Sequence, residues 1–444
     1  MSCISRCEFA NTVLEILTLK EKIQSTKIAN LNLYTKKAAD ITFPRSIVYW
    51  KRGYVDVKSI SEDVKSIVDY YKKQYHFMNY SDEDTIHNLK EVMVATIYKN
   101  YAVHIDFELS LNSSDILIKF DRKLMSYLII KTAIEQGPNF GNRTSNESNV
   151  EKTIFLKIDE DTESEITNTR LKMIKEVSQN ILRTQGFTVQ NDVSSKNYVF
   201  TTKSTGKNED NRLHRYLCGV VLNGSRKKEM SLTNQDYAYI VSHKVREINE
   251  DRLSDVDDAD GEKVAKASIA YEMLSVKPNI PIVINKSDKL DKAIKEAAFI
   301  LYNNARVSAI LNKYNISVKN NEYPEIKPIS EFSEFQHVTD DESWDLIYSY
   351  LMRYPDLLKS TVPTHVNNNE SKLEFHMHHL WSFLSTLSHK FSSYYRRYRI
   401  LMSNVSVTEK SSSITSERLH LLRALHVIFK NTLSLLNVEE VLNM

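Results

Sequence analysis

SERLHLLRALHVIFKNTLSLLNVEEVLNM, residues 416–444, carries Leu419, Leu422, Leu425, Phe429, Leu433 and Leu436 at intervals of three or four. That spacing returns each apolar side chain to one face of a helix, so the stretch predicts a long helix with a partner-facing seam. Thr415 or Ser416 suits its N-cap, Glu417 its first turn, and Asn437 the left-handed residue that ends it. Upstream, apolar residues at 373, 380, 383, 384, 387, 391, 394, 395, 398 and 401 predict a second long helix over Lys372–Leu401. Two striped helices imply a bundle.

Charge is concentrated on the same region. Between Ser388 and Lys430 stand Lys390, Arg396, Arg397, Arg399, Lys410, Arg418, Arg423 and Lys430 against only Glu409 and Glu417, a local excess of +6 in a chain of net charge +2. Phe391, Tyr394, Tyr395 and Tyr398 are interleaved with these cations. Arginines neutralise phosphates while aromatic faces stack unpaired bases, a pairing suited to single-stranded loops of RNA. A solvated helix face would show the same charges, so the pattern alone leaves both readings open.

The composition is that of a soluble globular protein: 41% hydrophobic and 26% charged over 444 residues, enough for about three domains. Eight glycines and eight prolines argue against turn-rich sandwiches and favour a mainly helical chain with one α/β section. Cys3, Cys7 and Cys218 supply no disulfide framework and suggest a reducing compartment. No run approaches 18 apolar residues and no secretory leader pattern opens the chain, so a cytoplasmic protein is expected. His376, His378 and His379 have no cysteine or carboxylate at a ligand spacing, and Asp255–Lys263 fails the pattern of a calcium loop. No metal or cofactor is expected.

Upstream, residues 115–141 read as a strand and then a helix ending near Gly137, Lys152–Ile158 as a strand, and Arg170–Thr184 as a helix closed by Gly186. Residues 142–150 and 203–212 read as loops. Leu213–Leu222 is a strand candidate ending in the turn Asn223-Gly224. Residues 249–262 are a solvated acidic run, helices follow from Lys263 to about Leu274 and over Lys289–Lys313, and 314–340 is a linker.

FSSYYRRYRIL (391–401) resembles the F-N-x-F-Y-…-R-V-L helix of the DALR anticodon-binding domain of arginyl-tRNA synthetases. Residues 416–444 are similar to the closing helix and tail of that domain, with Asn437 where the family has glycine, and Ser392 replaces the family's asparagine. ESWDLIYSYLMRYPDLL (342–358) resembles its opening helix, with the aromatic–proline signature at Tyr354-Pro355. The likeness implies that Tyr395, Arg399 and Met444 stand on the face toward an anticodon stem-loop, while Tyr394 and Phe391 belong to the core. FDRKLMSYLIIKTAIEQGPNFG (120–141) and TRLKMIKEVSQNILRTQGFTV (169–189) are similar to the end of the enzymes' N-terminal domain and to the helix that carries their H-x-G-H motif. KVAKASIAYEMLS (263–275) and AFILYNNARVSAILNKY (298–314) continue the pattern.

The catalytic motifs depart from it. The H-x-G-H positions become Glu165, Ile166, Thr167 and Asn168, which sets a carboxylate where a triphosphate must sit. In LHRYLCGVVLNGSRKKEMSLT (213–233), the counterpart of the lysine-rich second motif keeps Lys227, Lys228, Met230 and Ser231 but has Leu232 and Thr233 for its Thr-Arg pair. About 25 residues separate Val189 from Leu213, where the enzymes hold most of their active-site strands.

The resemblance therefore implies three parts. These are an N-terminal α+β domain (1–150), a degenerate class I synthetase-like core with a truncated Rossmann remnant (151–325), and an all-α DALR bundle (326–444). It is nearest to the DALR anticodon-binding domain-containing protein 3 group. That group implies a non-catalytic protein that binds arginine tRNAs through Lys390, Tyr395, Arg396, Arg397, Arg399, Arg418, Arg423, Lys430 and Met444, and partners a methyltransferase that forms 3-methylcytidine in the anticodon loop. No methyl-donor motif is present. A weakly active arginyl-tRNA synthetase and a protein scaffold without RNA binding are the alternatives.

Overall fold

A computed structural model describes residues 5–18, 39–52, 61–74, 80–109, 115–143, 153–190, 197–203, 213–250, 258–284, 288–367, 370–401 and 409–441. Its chain divides into two compact units: Met1–Ile129 with Pro328–Arg353, and Ile130–Lys327 with Tyr354–Met444.

The first unit opens with α1 (Arg6–Thr18), β1 (Ile41–Pro44), α2 (Ile67–Gln74) and α3 (Asp82–Tyr101). β2 (Ile105–Glu108) and β3 (Asp115–Phe120) follow and lead into α4 (Arg122–Gln136), within which the division falls. The strands form an antiparallel sheet in the order β1-β3-β2. α4 ends beside Gly137, as expected, and Gly137 takes φ +50.

Most of the second unit is the α/β section. β4 (Thr153–Ile158), α5 (Glu165–Thr184) and β5 (Thr188–Gln190) make a parallel crossover, and β6 (Asn197–Thr201) and β7 (Leu213–Leu217) extend it into a parallel sheet in the order β5-β4-β6-β7. Helical crossovers and parallel pairing define the Rossmann-like class, here with four short strands. Gly186 adopts φ +78 after α5, as expected. β8 (Val221–Leu222), α6 (Asn234–Glu250), α7 (Asp258–Leu274), β9 (Ile282–Val283) and α8 (Asp288–Lys319) complete it.

The single strand expected over Leu213–Leu222 is two strands in different sheets. At the break, a Cβ on Gly219 would lie 2.3 Å from the backbone of Ile280 and Pro281, so only glycine lets these segments meet. Buried Arg170 fixes the junction, donating from Nη1 to the Gly219 carbonyl (2.6 Å) and from Nε to that of Met273 (3.1 Å). The linker expected from residue 314 also begins later. α8 runs on to Lys319 because Tyr314 is buried and its hydroxyl accepts from Ile326 N at 2.8 Å.

α9 (Asp341–Leu346) and a wider turn over Ile347–Leu351 belong to the first unit. There Trp344 Nε1 donates to Asp40 Oδ1 (2.6 Å) and the Tyr348 hydroxyl to the Asp40 carbonyl (2.8 Å). Back in the second unit are α10 (Tyr354–Thr361), the hairpin β10 (Thr364–Asn367) and β11 (Glu370–Leu373), then α11 (His378–Arg397) and α12 (Glu409–Leu435). Among its described residues, this C-terminal region consists of helices and that hairpin, with short connections.

Both long C-terminal helices differ in extent from expectation. α11 starts at His378, not Lys372, because the preceding chain bonds elsewhere. Glu374 N donates to Pro363 O (3.2 Å), His376 N to Thr361 O (2.8 Å), and the Phe375 ring packs on Phe200 and Tyr216 of the parallel sheet at 5.4 Å each. α12 begins at Glu409, so Thr415, Ser416 and Glu417 lie inside it and buried rather than at its cap. Its far end is as expected: Asn437 takes φ +56, and Val438 N closes on Leu433 O at 3.0 Å.

Candidate nucleic-acid interface

α11 buries Leu380, Trp381, Phe383, Leu384, Leu387, Phe391 and Tyr394 along one face. At about 100° per residue, the position after Tyr394 turns away from that face. Tyr394 is 1% exposed and Tyr395 37%. Arg396 and Arg397 follow on the exposed side of the last turn, Tyr398 leaves the helix in extended conformation, and Arg399 is exposed. The geometry thus separates two adjacent tyrosines that have the same chemistry.

Phe391 meets Phe429 (ring centroids 6.5 Å apart), while Arg418 lies 4.8 Å from the centre of the Tyr398 ring, so α11 and α12 pair antiparallel. Arg418 therefore joins Arg396, Arg397 and Arg399 at one end of α11. It also donates to the Arg399 carbonyl at 3.2 Å, which braces the chain as it leaves the helix. Lys390 is half-buried on α11, and Arg423 is half-buried beside His420. Burial, reinforced by Arg423, lowers the His420 pKa to about 4 although its ring bonds the Lys327 carbonyl. Met444 lies outside the described residues.

Lys430 is committed to an ion pair. Its ammonium is 3.3 Å from Glu440, whose carboxylate also faces His426 (3.6 Å) and accepts from Asn304 Nδ2 (3.2 Å). The His426 ring, Asn304 and Lys430 together hold the Glu440 carboxyl down to about 2. A depressed carboxylate stabilises above its unfolded value near 4.5, and that contribution is lost as pH falls through about 2. Glu440→Gln should therefore loosen the 438–441 segment at pH 7 and leave little difference from the parent below about pH 2, where both side chains are neutral. Amide hydrogen exchange of Val438 and Val441 at pH 7 checks the first half; unchanged protection would show that Glu440 does not hold the tail.

The positions aligned with the two synthetase motifs form a second cluster, and the polar groups around the start of α5 bond within the fold. Ser164 caps α5, accepting from Thr167 N at 3.2 Å, so Glu165–Asn168 occupy the first turn. Glu165 accepts from Asn234 N (3.1 Å), Thr167 Oγ1 from Val221 N (3.2 Å), and Asn168 bonds both backbone groups of Asp161 (2.6 and 2.7 Å). Lys228 lies 2.8 Å from Asp161 and 2.7 Å from Glu163. The Lys228 ammonium is thus neutralised internally, and three carboxylates crowd the start of α5, a helix end suited to anions. Lys227 and Ser231 are exposed, as is Met230 at 63%, all on the loop after β8. The partners of Lys228 escaped the sequence reading because Asp161 and Glu163 precede the motif and carry no pattern.

Among the described residues, no group of three or more His, Cys, Asp or Glu could hold a metal ion, and no helix is long and apolar enough to cross a membrane. His376, His378 and His379 cluster with ring centroids 4.3–5.7 Å apart. Burial and the two neighbouring histidines lower the His378 pKa to about 4.

The family model of the DALR anticodon binding domain matches residues 300–444. Residues 300–444 are a DALR anticodon-binding domain. The match starts inside α8 and spans the exposed Tyr395–Arg399 end of α11. DALR anticodon-binding domain-containing protein 3 of Danio rerio is 26% identical over 182 residues, covering 40% of this chain and 32% of that protein. An arginine–tRNA ligase of Borreliella afzelii (strain PKo) is 28% identical over 182 residues, covering 41% of this chain and 27% of the ligase. The alignments thus span about a third or less of the relatives' own length. The crystal structure of arginyl-tRNA synthetase from Plasmodium falciparum shares the fold, with a TM-score of 0.56 and 11% identity over all of both chains. The chain is accordingly mainly α with a reduced Rossmann-like section and a C-terminal DALR domain.

Proposed function

We propose that this chain is a tRNA-binding protein without aminoacylation activity, located in the cytoplasm, that recognises arginine tRNAs through its DALR domain. On this reading it presents the anticodon loop to a methyltransferase that forms 3-methylcytidine there, and the partner supplies the methyl-transfer chemistry. The observation that carries RNA binding is the DALR match, together with a basic, aromatic end of α11 that the fold leaves exposed. What supports a non-catalytic role is the internal pairing of Lys228 with Asp161 and Glu163, beside Glu165 at the start of α5.

RNA crosslinked to the full chain and sequenced should be enriched in arginine tRNAs; absence of that enrichment would sink the assignment. With arginine, ATP and tRNA, the purified chain should charge tRNA no faster than a blank. A charging rate above the blank would support the weakly active synthetase instead.

A further inference from the structure

α8 and α11 enclose an open groove of about 500 Å³. Its size falls within the roughly 300–1,000 Å³ of ligand-binding pockets. From α8 come Phe299 and Arg306, and from α11 His389, Ser393, Tyr395 and Arg396. The Arg306 guanidinium lies 5.4 Å from the centre of the Tyr395 ring, a cation–π contact that sets both side chains at the groove wall. Phe299 and His389 stand 4.5 Å apart with planes inclined by 34°. Arg306 donates to Asn303 Oδ1 (3.5 Å) and Arg396 to the Ser392 carbonyl (3.3 Å). Among the described residues neither arginine has a carboxylate partner, unlike Lys228 and Lys430.

Two guanidinium groups without counterions, facing one groove from two helices, match a phosphodiester. Aromatic surface from Tyr395 and the Phe299–His389 pair matches a base that is not already stacked in a duplex. We infer that this groove holds one unpaired nucleotide of a bound RNA, its phosphate between Arg306 and Arg396 and its base against the aromatic surface. The inference rests on the tRNA-binding reading and adds α8 to the interface. Arg306 and His389 lay outside the sequence assignment because they belong to no run of charge: between Glu296 and Lys313, Arg306 is the one charged residue of α8.

The test uses the full chain and two RNAs of equal length, an arginine-tRNA anticodon stem-loop and a continuous duplex. Wild type should prefer the hairpin. Arg306→Gln should reduce hairpin affinity about tenfold while duplex affinity changes less than twofold, and its salt slope on the hairpin should fall by about 0.7. Ser393→Glu, an exposed change that leaves the Arg306–Tyr395 contact in place, should act in the same direction, with Ser393→Gln as the neutral control. Equal losses on hairpin and duplex would make the groove a generic charge site and overturn the inference. So would hairpin binding and a salt slope unchanged in both Arg306→Gln and Ser393→Glu; the tRNA-binding reading would survive that result. If wild type binds neither RNA, the reading itself fails and the inference with it.

Discussion

Reversing two charges at the end of α11, as Arg397→Glu with Arg399→Glu, is expected to weaken tRNA binding about a hundredfold and to flatten its salt dependence. Both residues are exposed. A hydrogen bond to a charged group contributes about 1.5–3 kcal/mol, so two lost contacts amount to at least about 3 kcal/mol, or two decades in affinity. Each phosphate contact removed should also lower the slope of log K against log salt by about 0.7–0.9. Titrating labelled tRNA at several salt concentrations measures both effects, and a melting curve of the variant controls for folding. An unchanged slope would place the RNA on a different surface.

The largest expected loss of stability comes from Trp381→Ala. Trp381 is 1% exposed, and its ring meets Tyr271 edge-on at 5.1 Å, joining α11 to α7 of the Rossmann-like section. Its indole nitrogen has no hydrogen-bond partner among the described residues, so truncation removes packing without releasing a polar group. Cavities of this kind cost about 3–5 kcal/mol. The denaturant midpoint of the transition that follows the second unit should fall accordingly. A loss below about 1 kcal/mol would mean that the site collapses around the gap and that α11 is held elsewhere.

Much of the local structure was legible because local chemistry specifies it. The strand and helix over 115–136, the strand at 153–158, and the left-handed positions at Gly186 and Asn437 follow from alternation, helical spacing and residues that tolerate positive φ. The start of α12 was not. Thr415 and Ser416 have the side chains of a cap, but burying them with Glu417 inside a longer helix outweighs a preference of about 1 kcal/mol. Residues 372–377 have the apolar spacing of a helix, yet their backbone bonds go to the end of α10, which periodicity along the chain does not encode.

The candidate site divides along the same line. The sequence by itself determined most of the elements, the charge concentrated between Lys390 and Lys430, and the run Glu165-Ile166-Thr167-Asn168 that opens α5. Those properties reside in single residues and their spacing. Tertiary structure alone decided which cations remain available: Lys228 is neutralised by Asp161 and Glu163, Lys430 by Glu440, while Arg306 faces a groove beside Tyr395. Electrostatic attraction depends on distance in space and on exclusion of solvent, and neither quantity can be read along a chain.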